Sequence, residues 1–201
     1  RVVTRLAHSR AAVETGEARE ENKMVPSTDQ WVLLPGIARK KYAALLDKQP
    51  AMEAEAAESI YNRVERNSGN TGIIACGIAY NYVKEALGNS GNILKISQYP
   101  LPVEAIKQLA AENESILVVE DGQPVVEQDV KALVGAGYRV EGRLTGVLPR
   151  TGELTPDNVA AALGKPSAVI YDAAKSLAGR PPQLCQGCGH RDVYGALVKI
   201  I

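Results

Sequence analysis

The chain has 201 residues, 45% of them apolar, enough to bury a sizeable core and to exclude wholesale disorder. Its 23 basic and 23 acidic residues cancel, so no charge excess argues for a nucleic-acid partner. No run approaches the roughly 18 apolar residues that a membrane span needs, which leaves no membrane to expect.

Three cysteines, an odd number, argue against a disulfide framework and for a reducing, cytoplasmic compartment. With eight Tyr, one Trp and no Phe, the core must be built from Ala, Val, Ile and Leu. That is the usual content of layered α/β domains with buried parallel strands.

Residues 1–6 read as a strand already under way, and the start carries no secretory signal. The last run, Asp192 to Ile201, reads as a helix without a stop signal, so both ends look cut. Residues 11–30 are polar and read as a connector. A helical pattern runs from Ile37 to Lys48. Pro50 should interrupt or kink it before it resumes from Met52 to Arg66. This stretch is polar on most sides, as a connector or brace between domains would be. Asn67-Ser68-Gly69-Asn70 is a stop signal and a candidate domain boundary.

From residue 71 strands and helices alternate. The strands are Gly72 to Cys76, Asn92 to Ile96, Ser115 to Glu120 and Tyr138 to Glu141, with Arg143 to Val147 a possible extension of the sheet. The helices run Ala79 to Leu87, Val103 to about Glu112, and Val125 to about Val134. Thr155-Pro156-Asp157 starts another, with Thr as N-cap and Pro at the first position. A last helical run covers Ala168 to Leu177. This alternation predicts the α/β class, with a doubly wound, mainly parallel sheet over 71–165 and right-handed crossovers. Helical and extended arms flank it.

The densest chemistry is Leu184-Cys185-Gln186-Gly187-Cys188-Gly189-His190-Arg191. Cys185 and Cys188 are spaced to share one metal ion or one edge of an iron–sulfur cluster. The alternatives are a glycine-rich turn with two bare thiols and a redox pair, although the motif does not follow an early strand as a thioredoxin-like fold requires. Gly187 and Gly189 precede a helix whose N-terminus could favour an anion, with His190 and Arg191 beside it. The alternative is a plain helix cap. Cys76 and Glu120-Asp121 fall at carboxyl ends of strands, where α/β sheets bind ligands. A small buried residue and a solvated turn are the plainer readings. His8, with Arg5 and Arg10, is either an anion contact or a surface histidine.

Several ordered segments resemble one family: Val3-Thr4-Arg5-Leu6-Ala7-His8-Ser9-Arg10, Gly72-Ile73-Ile74-Ala75-Cys76-Gly77-Ile78-Ala79-Tyr80-Asn81-Tyr82-Val83, Tyr99-Pro100-Leu101-Pro102, Leu117-Val118-Val119-Glu120, Gly152-Glu153-Leu154-Thr155-Pro156-Asp157 and Arg180-Pro181-Pro182-Gln183-Leu184-Cys185. Together they are similar to the α subunits of indolepyruvate:ferredoxin oxidoreductases, a branch of the thiamine-diphosphate-dependent 2-oxoacid:ferredoxin oxidoreductases. The family usually has Pro where this chain has Gln186 and Gly189.

The resemblance implies an internal fragment. Residues 1–10 would end a pyrimidine-binding domain, and 11–70 would be a linker with helical segments. Residues 71–165 would be a middle domain like the transketolase C-terminal domain. Residues 166–201 would link to, and begin, a diphosphate-binding domain. It implies a parent enzyme that oxidatively decarboxylates aryl pyruvates such as indolepyruvate to acyl-CoA and passes electrons to ferredoxin. That enzyme would use thiamine diphosphate, Mg²⁺ and [4Fe-4S] clusters, and a β subunit, ferredoxin and CoA would be its partners. Cys185 and Cys188 would be cluster ligands, and Gly187, Gly189, His190 and Arg191 would approach the cofactor. The chain alone would bind none of these cofactors and would be non-catalytic, bracing cofactor domains and subunits. Rival expectations are a stand-alone CoA- or nucleotide-binding module near Cys76 and Glu120, and a metal- or redox-binding module at the cysteine pair.

Overall fold

The computed structural model describes residues 12, 14–18, 20–21, 27–165, 184 and 187–200. The expectations for residues 1–10, for Cys185 and for a helix over 168–177 lie outside the described residues. Two compact units divide the chain, Arg1–Ser167 and Ala168–Ile201.

In the first unit the order is α1 (Thr28–Trp31), α2 (Pro35–Glu58), β1 (Arg63–Glu65), β2 (Thr71–Cys76), α3 (Ala79–Leu87), β3 (Asn92–Ile96), α4 (Val103–Ala111), β4 (Ser115–Val119), α5 (Val125–Val134), β5 (Arg139–Glu141) and α6 (Pro156–Ala162). The second unit contributes α7 (Gly189–Val198). The five strands form one sheet in the order β1-β3-β2-β4-β5. All neighbours are parallel except β1, which runs antiparallel to β3 with Val64 opposite Leu94.

Side chains alternate between sheet faces because a strand has a two-residue period. Ile73, Ala75, Ile93, Leu117 and Val119 pack with Ala79, Tyr82 and Val83 of α3 and Val159 of α6. Ile74, Leu94, Ile96, Ile116, Val118 and Val140 pack with Ile106 and Leu109 of α4 and Val126 and Val130 of α5. Both faces are therefore covered, which is why the strands read as unbroken apolar runs rather than as alternating ones. Each fully buried Val, Ile or Leu contributes about 1.5–3 kcal/mol of transfer free energy. The α/β class and the doubly wound, mainly parallel sheet expected from the sequence are present.

Three local expectations need correction. Pro50 does not interrupt the helix: α2 runs from Pro35 to Glu58 with Pro50 inside it. Only Ala56 is buried along its length, so the carbonyl that loses its Pro50 partner faces solvent rather than a dry core. The helix does not continue to Arg66: it ends at Glu58, and Arg63–Glu65 is an edge strand. Asn62 makes that ending. Its side-chain amide donates to Ala56 O and Gln98 O at 2.9 Å, and its Oδ1 accepts the Ser97 and Gln98 amides at 2.8 and 2.9 Å. One side chain thus ties the end of α2 to the segment after β3. Residues 143–146 form a turn and 147 a bend, not strand: Gly146 takes φ 80°, and the Leu148 amide donates back to Gly142 O at 3.1 Å.

The opposite, amino-terminal sheet edge is closed by polar side chains. Asn92 donates to Asn113 Oδ1 at 2.9 Å, Asn113 donates to Leu109 O at 2.7 Å, and the Thr71 and Ser115 hydroxyls meet at 3.2 Å. The three buried polar residues there, Asn92, Asn113 and Ser115, are hydrogen-bonded, as burial requires.

Candidate functional site

The chain passes from β2 outward to β3 and returns across β2 to β4, so the winding reverses between β2 and β4. Ligands of open α/β sheets bind at such a reversal, beyond the strand carboxyl ends. Cys76 ends β2 there, and Glu120 and Asp121 follow β4. The geometry shows what those groups do.

Glu120 is buried, and its carboxylate accepts the amide N–H groups of Val126 at 3.0 Å and Glu127 at 2.8 Å. Those are first-turn donors of α5, which have no partner within the helix. Glu120 therefore caps α5 from the preceding strand, with its charge at the positive end of the helix. Burial pushes its carboxyl above the usual carboxylate range, and the two backbone donors pull the other way.

Glu127 is fully buried as well. It accepts Lys131 Nζ at 2.7 Å and the Leu144 amide at 2.9 Å. Asp121 pairs with Arg143 at 3.2 Å, and Arg143 also donates to Gly152 O at 2.8 Å. The two are not a solvated turn: Glu120 caps α5, and Asp121 is tied to Arg143.

Cys76 lies beside Tyr99 and close to Glu120. Burial pushes its thiol up to about 12, and the Glu120 charge adds to the shift. Such a thiol is protonated at neutral pH and is no nucleophile. Cys76 is half-buried and packs against the core of that sheet face, rather than being fully enclosed as a small buried residue would be.

Sequence reasoning missed Glu127, Gly142 and Arg143. Glu127 sits in the first turn of an amphipathic helix, where an acidic residue ordinarily faces solvent. The signal for the other two was Gly142-Arg143-Leu144-Thr145-Gly146, in which glycines bracket the arginine as in a turn.

In the second unit, Gly187 has φ 77°, and Cys188 stands at the N-cap of α7 without a side-chain cap hydrogen bond. The Arg191 amide donates to Cys188 O at 2.9 Å. Cys188 Sγ lies 3.4 Å from His190 Nδ1. One thiol and one imidazole are two donors short of a tetrahedral set. No group of three or more His, Cys, Asp or Glu capable of holding a metal occurs among the described residues. The described donors thus do not make up a complete metal or cluster site. Gly187, Gly189, His190 and Arg191 lie together at the start of α7. Among the described residues no helix is long and apolar enough to cross a membrane.

Fold and site together define a mainly parallel α/β domain whose sheet-edge carboxylates serve its architecture, accompanied by a cysteine-bearing helical segment. No family model matches the chain. Curated relatives do, along nearly its whole length. It is 36% identical to an indolepyruvate oxidoreductase subunit IorA of Archaeoglobus fulgidus, with 100% of the chain covering 35% of that protein. It is 33% identical to the IorA subunit of Methanothermobacter thermautotrophicus (98% of the chain, 34% of the relative) and 30% identical to that of Thermococcus kodakarensis (99% and 35%). The chain corresponds to about a third of the length of these indolepyruvate oxidoreductase IorA subunits. Among solved structures, a 2-oxoglutarate:ferredoxin oxidoreductase from Magnetococcus marinus aligns with 66% of this chain and 24% of its own, at 17% identity and a TM-score of 0.45. A likeness that loose bears on neither activity nor ligand.

Proposed function

We propose that this chain is the middle, non-catalytic portion of an aryl-pyruvate:ferredoxin oxidoreductase α subunit, acting as a brace between cofactor-binding domains and between subunits. The observation that carries the reading is the match to IorA subunits over the whole chain. Two physical features support it. The carboxylates at the sheet's carboxyl edge are committed to caps and loop ties, and the thiol there is held protonated. Helix α2 presents Tyr42, Leu45, Leu46 and Met52 at 39–64% exposure, an apolar stripe suited to packing against another domain.

On this reading the parent enzyme oxidatively decarboxylates aryl pyruvates such as indolepyruvate to acyl-CoA in the cytoplasm, passing the electrons to ferredoxin, with thiamine diphosphate, Mg²⁺ and [4Fe-4S] clusters as cofactors and a β subunit, ferredoxin and CoA as partners. Residues 71–165 are its transketolase C-terminal-like middle domain, with the sheet's first strand supplied from upstream. Residues 11–70 are a linker, and residues 166–201 lead into a diphosphate-binding domain. Cys185 and Cys188 supply part of a cluster's ligands, and Gly187, Gly189, His190 and Arg191 approach the cofactor.

Calorimetric titration of the chain with thiamine diphosphate and Mg²⁺ tests this. The expected result is no specific binding, and submicromolar affinity would sink the reading. The approach of Cys188 Sγ to His190 Nδ1 favours one second reading, a metal-binding module in its own right. Stoichiometric zinc retained by the chain and lost in Cys185→Ser/Cys188→Ser would replace the first reading with that one.

A further inference from the structure

Against the other described residues α2 buries only Ala56, near its carboxyl end. Its amino-terminal half, residues 35–48, leaves Tyr42, Leu45 and Leu46 exposed. The charge order along the helix is unusual. The first half holds Arg39, Lys40, Lys41 and Lys48 against Asp47, and the rest holds Glu53, Glu55 and Glu58 with no cation. The helix dipole favours the reverse, anions at the amino end and cations at the carboxyl end. No acid stands in the first turn and no base in the last, where Glu55 and Glu58 meet the negative pole. Beside the acidic half lies a groove of about 650 Å³ between α2, α4 and α5. Leu101, Val103 and Leu133 line it with apolar surface, and the exposed acids Glu53, Glu104 and Asp129 line it with charge. Lys107 pairs with Glu104 at 2.9 Å, whereas Glu53 meets only a neutral amide, that of Gln49 at 3.5 Å, and Asp129 lies near the neutral Tyr99 phenol.

We propose that the amino-terminal half of α2 docks in this groove of a second copy of the chain, with the two α2 helices antiparallel about a two-fold axis. The inference rests on the reading of α2 as a brace between subunits and supplies the subunit. Tyr42, Leu46, Gln49 and Glu53 follow one another at the three- and four-residue spacing of a helix–helix seam. Glu53 and Ala57 continue that seam along the groove, so a helix laid on it enters the groove. In an antiparallel pair the basic half of each helix meets the acidic half of the other, and the two dipoles oppose as well. The two-fold axis makes this contact twice. A second copy is selected over other partners because one helix carries both complementary charge blocks, with its apolar residues between them.

Sedimentation equilibrium of the whole 201-residue chain tests this. The expected species is a dimer that dissociates on dilution and weakens as salt rises. Leu46→Asp, at an exposed position, should weaken it about thirtyfold or more. Two charge variants at exposed positions separate this pairing from general apolar association. Arg39→Glu/Lys40→Glu/Lys41→Glu makes both halves of α2 acidic, and Glu53→Lys/Glu55→Lys/Glu58→Lys makes both basic. Each variant should be monomeric alone, and an equimolar mixture of the two should restore the dimer. Both sets of changes suit the helix dipole, so far-UV circular dichroism should show the helix retained. A native chain that is monomeric throughout, a dimer untouched by Leu46→Asp, or a mixture that stays monomeric would each overturn the proposal. Any of these would remove the pairing and leave the outcome of the thiamine diphosphate titration, which tests the underlying reading, unchanged.

Discussion

Gly142→Ala is the substitution that most directly tests the account of the sheet's carboxyl edge. A Cβ at this position would stand 2.5 Å from Glu127 Oε2, 2.8 Å from its Cδ and 2.9 Å from Val118 O. The Gly142 φ is not in the left-handed region, so the cost is contact rather than backbone strain. Val118 O belongs to β4, an interior strand held between β2 and β5, and cannot retreat. Glu127 is pinned by the Leu144 amide and Lys131. Overpacking of this kind costs about 1–3 kcal/mol. Displacing Glu127 adds the loss of its charged hydrogen bond to Leu144, about 1.5–3 kcal/mol. The Lys131 pair adds little, because that ammonium is partly exposed. Relaxation shares these terms, and about 2–4 kcal/mol in total is expected. For a chain of this size that lowers Tm by roughly 5–15 °C.

Urea unfolding followed by far-UV circular dichroism gives the number, and Glu127→Ala with the double variant completes a cycle. If the clash with Glu127 is the cause, Gly142→Ala should cost at least about 1 kcal/mol less in the Glu127→Ala background. Additive costs, or a Gly142→Ala penalty below about 0.5 kcal/mol, would refute the reasoning.

Three further expectations follow from the same geometry. Asn62→Ala removes four hydrogen bonds at the end of α2, so it should cost about 2–4 kcal/mol. Amide exchange should accelerate first within residues 52–58; uniform acceleration across the sheet would contradict its role as a local clamp. Lys84 and then Tyr80 hold the Glu65 carboxyl below the usual carboxylate range. A lowered folded-state pKa stabilises above the unfolded value, and that contribution is lost as pH falls through the folded value. The stability gap between wild type and Glu65→Gln should therefore be full at neutral pH and close on acidification. A gap that widens instead would reverse the assignment. With its thiol pushed up to about 12 from an ordinary 9.0, Cys76 carries about a thousandfold less thiolate near neutral pH than an ordinary cysteine. It should resist iodoacetamide in the folded chain far longer than Cys188 does and react readily in urea, and labelling as fast as Cys188 would show the burial argument to be wrong.

The element sequence from β2 to α6 was legible in the chain itself. Four apolar runs of strand length alternated with amphipathic runs, and Thr155-Pro156 marked a helix start that the structure confirms, with Thr155 Oγ1 accepting the Asn158 amide at 3.2 Å. Local patterns sufficed because burial on both faces leaves strands no choice but continuous apolar residues. The short edge strand Arg63–Glu65 could not be read that way. Its side chains are only partly covered, and its pairing with β3 is a contact between segments some thirty residues apart. The same separation hid the functions of the acids. Whether Glu120 is a solvated turn residue, a proton donor or a helix cap depends on where the first turn of α5 lands. Whether Asp121 is free depends on Arg143, more than twenty residues further on. Sequence by itself determined the class of fold, the run of its elements and the likeness to one family. Only the tertiary structure decided which charged side chains were consumed in building it, because hydrogen bonding and desolvation are settled by what the fold brings together and not by what adjoins in the chain.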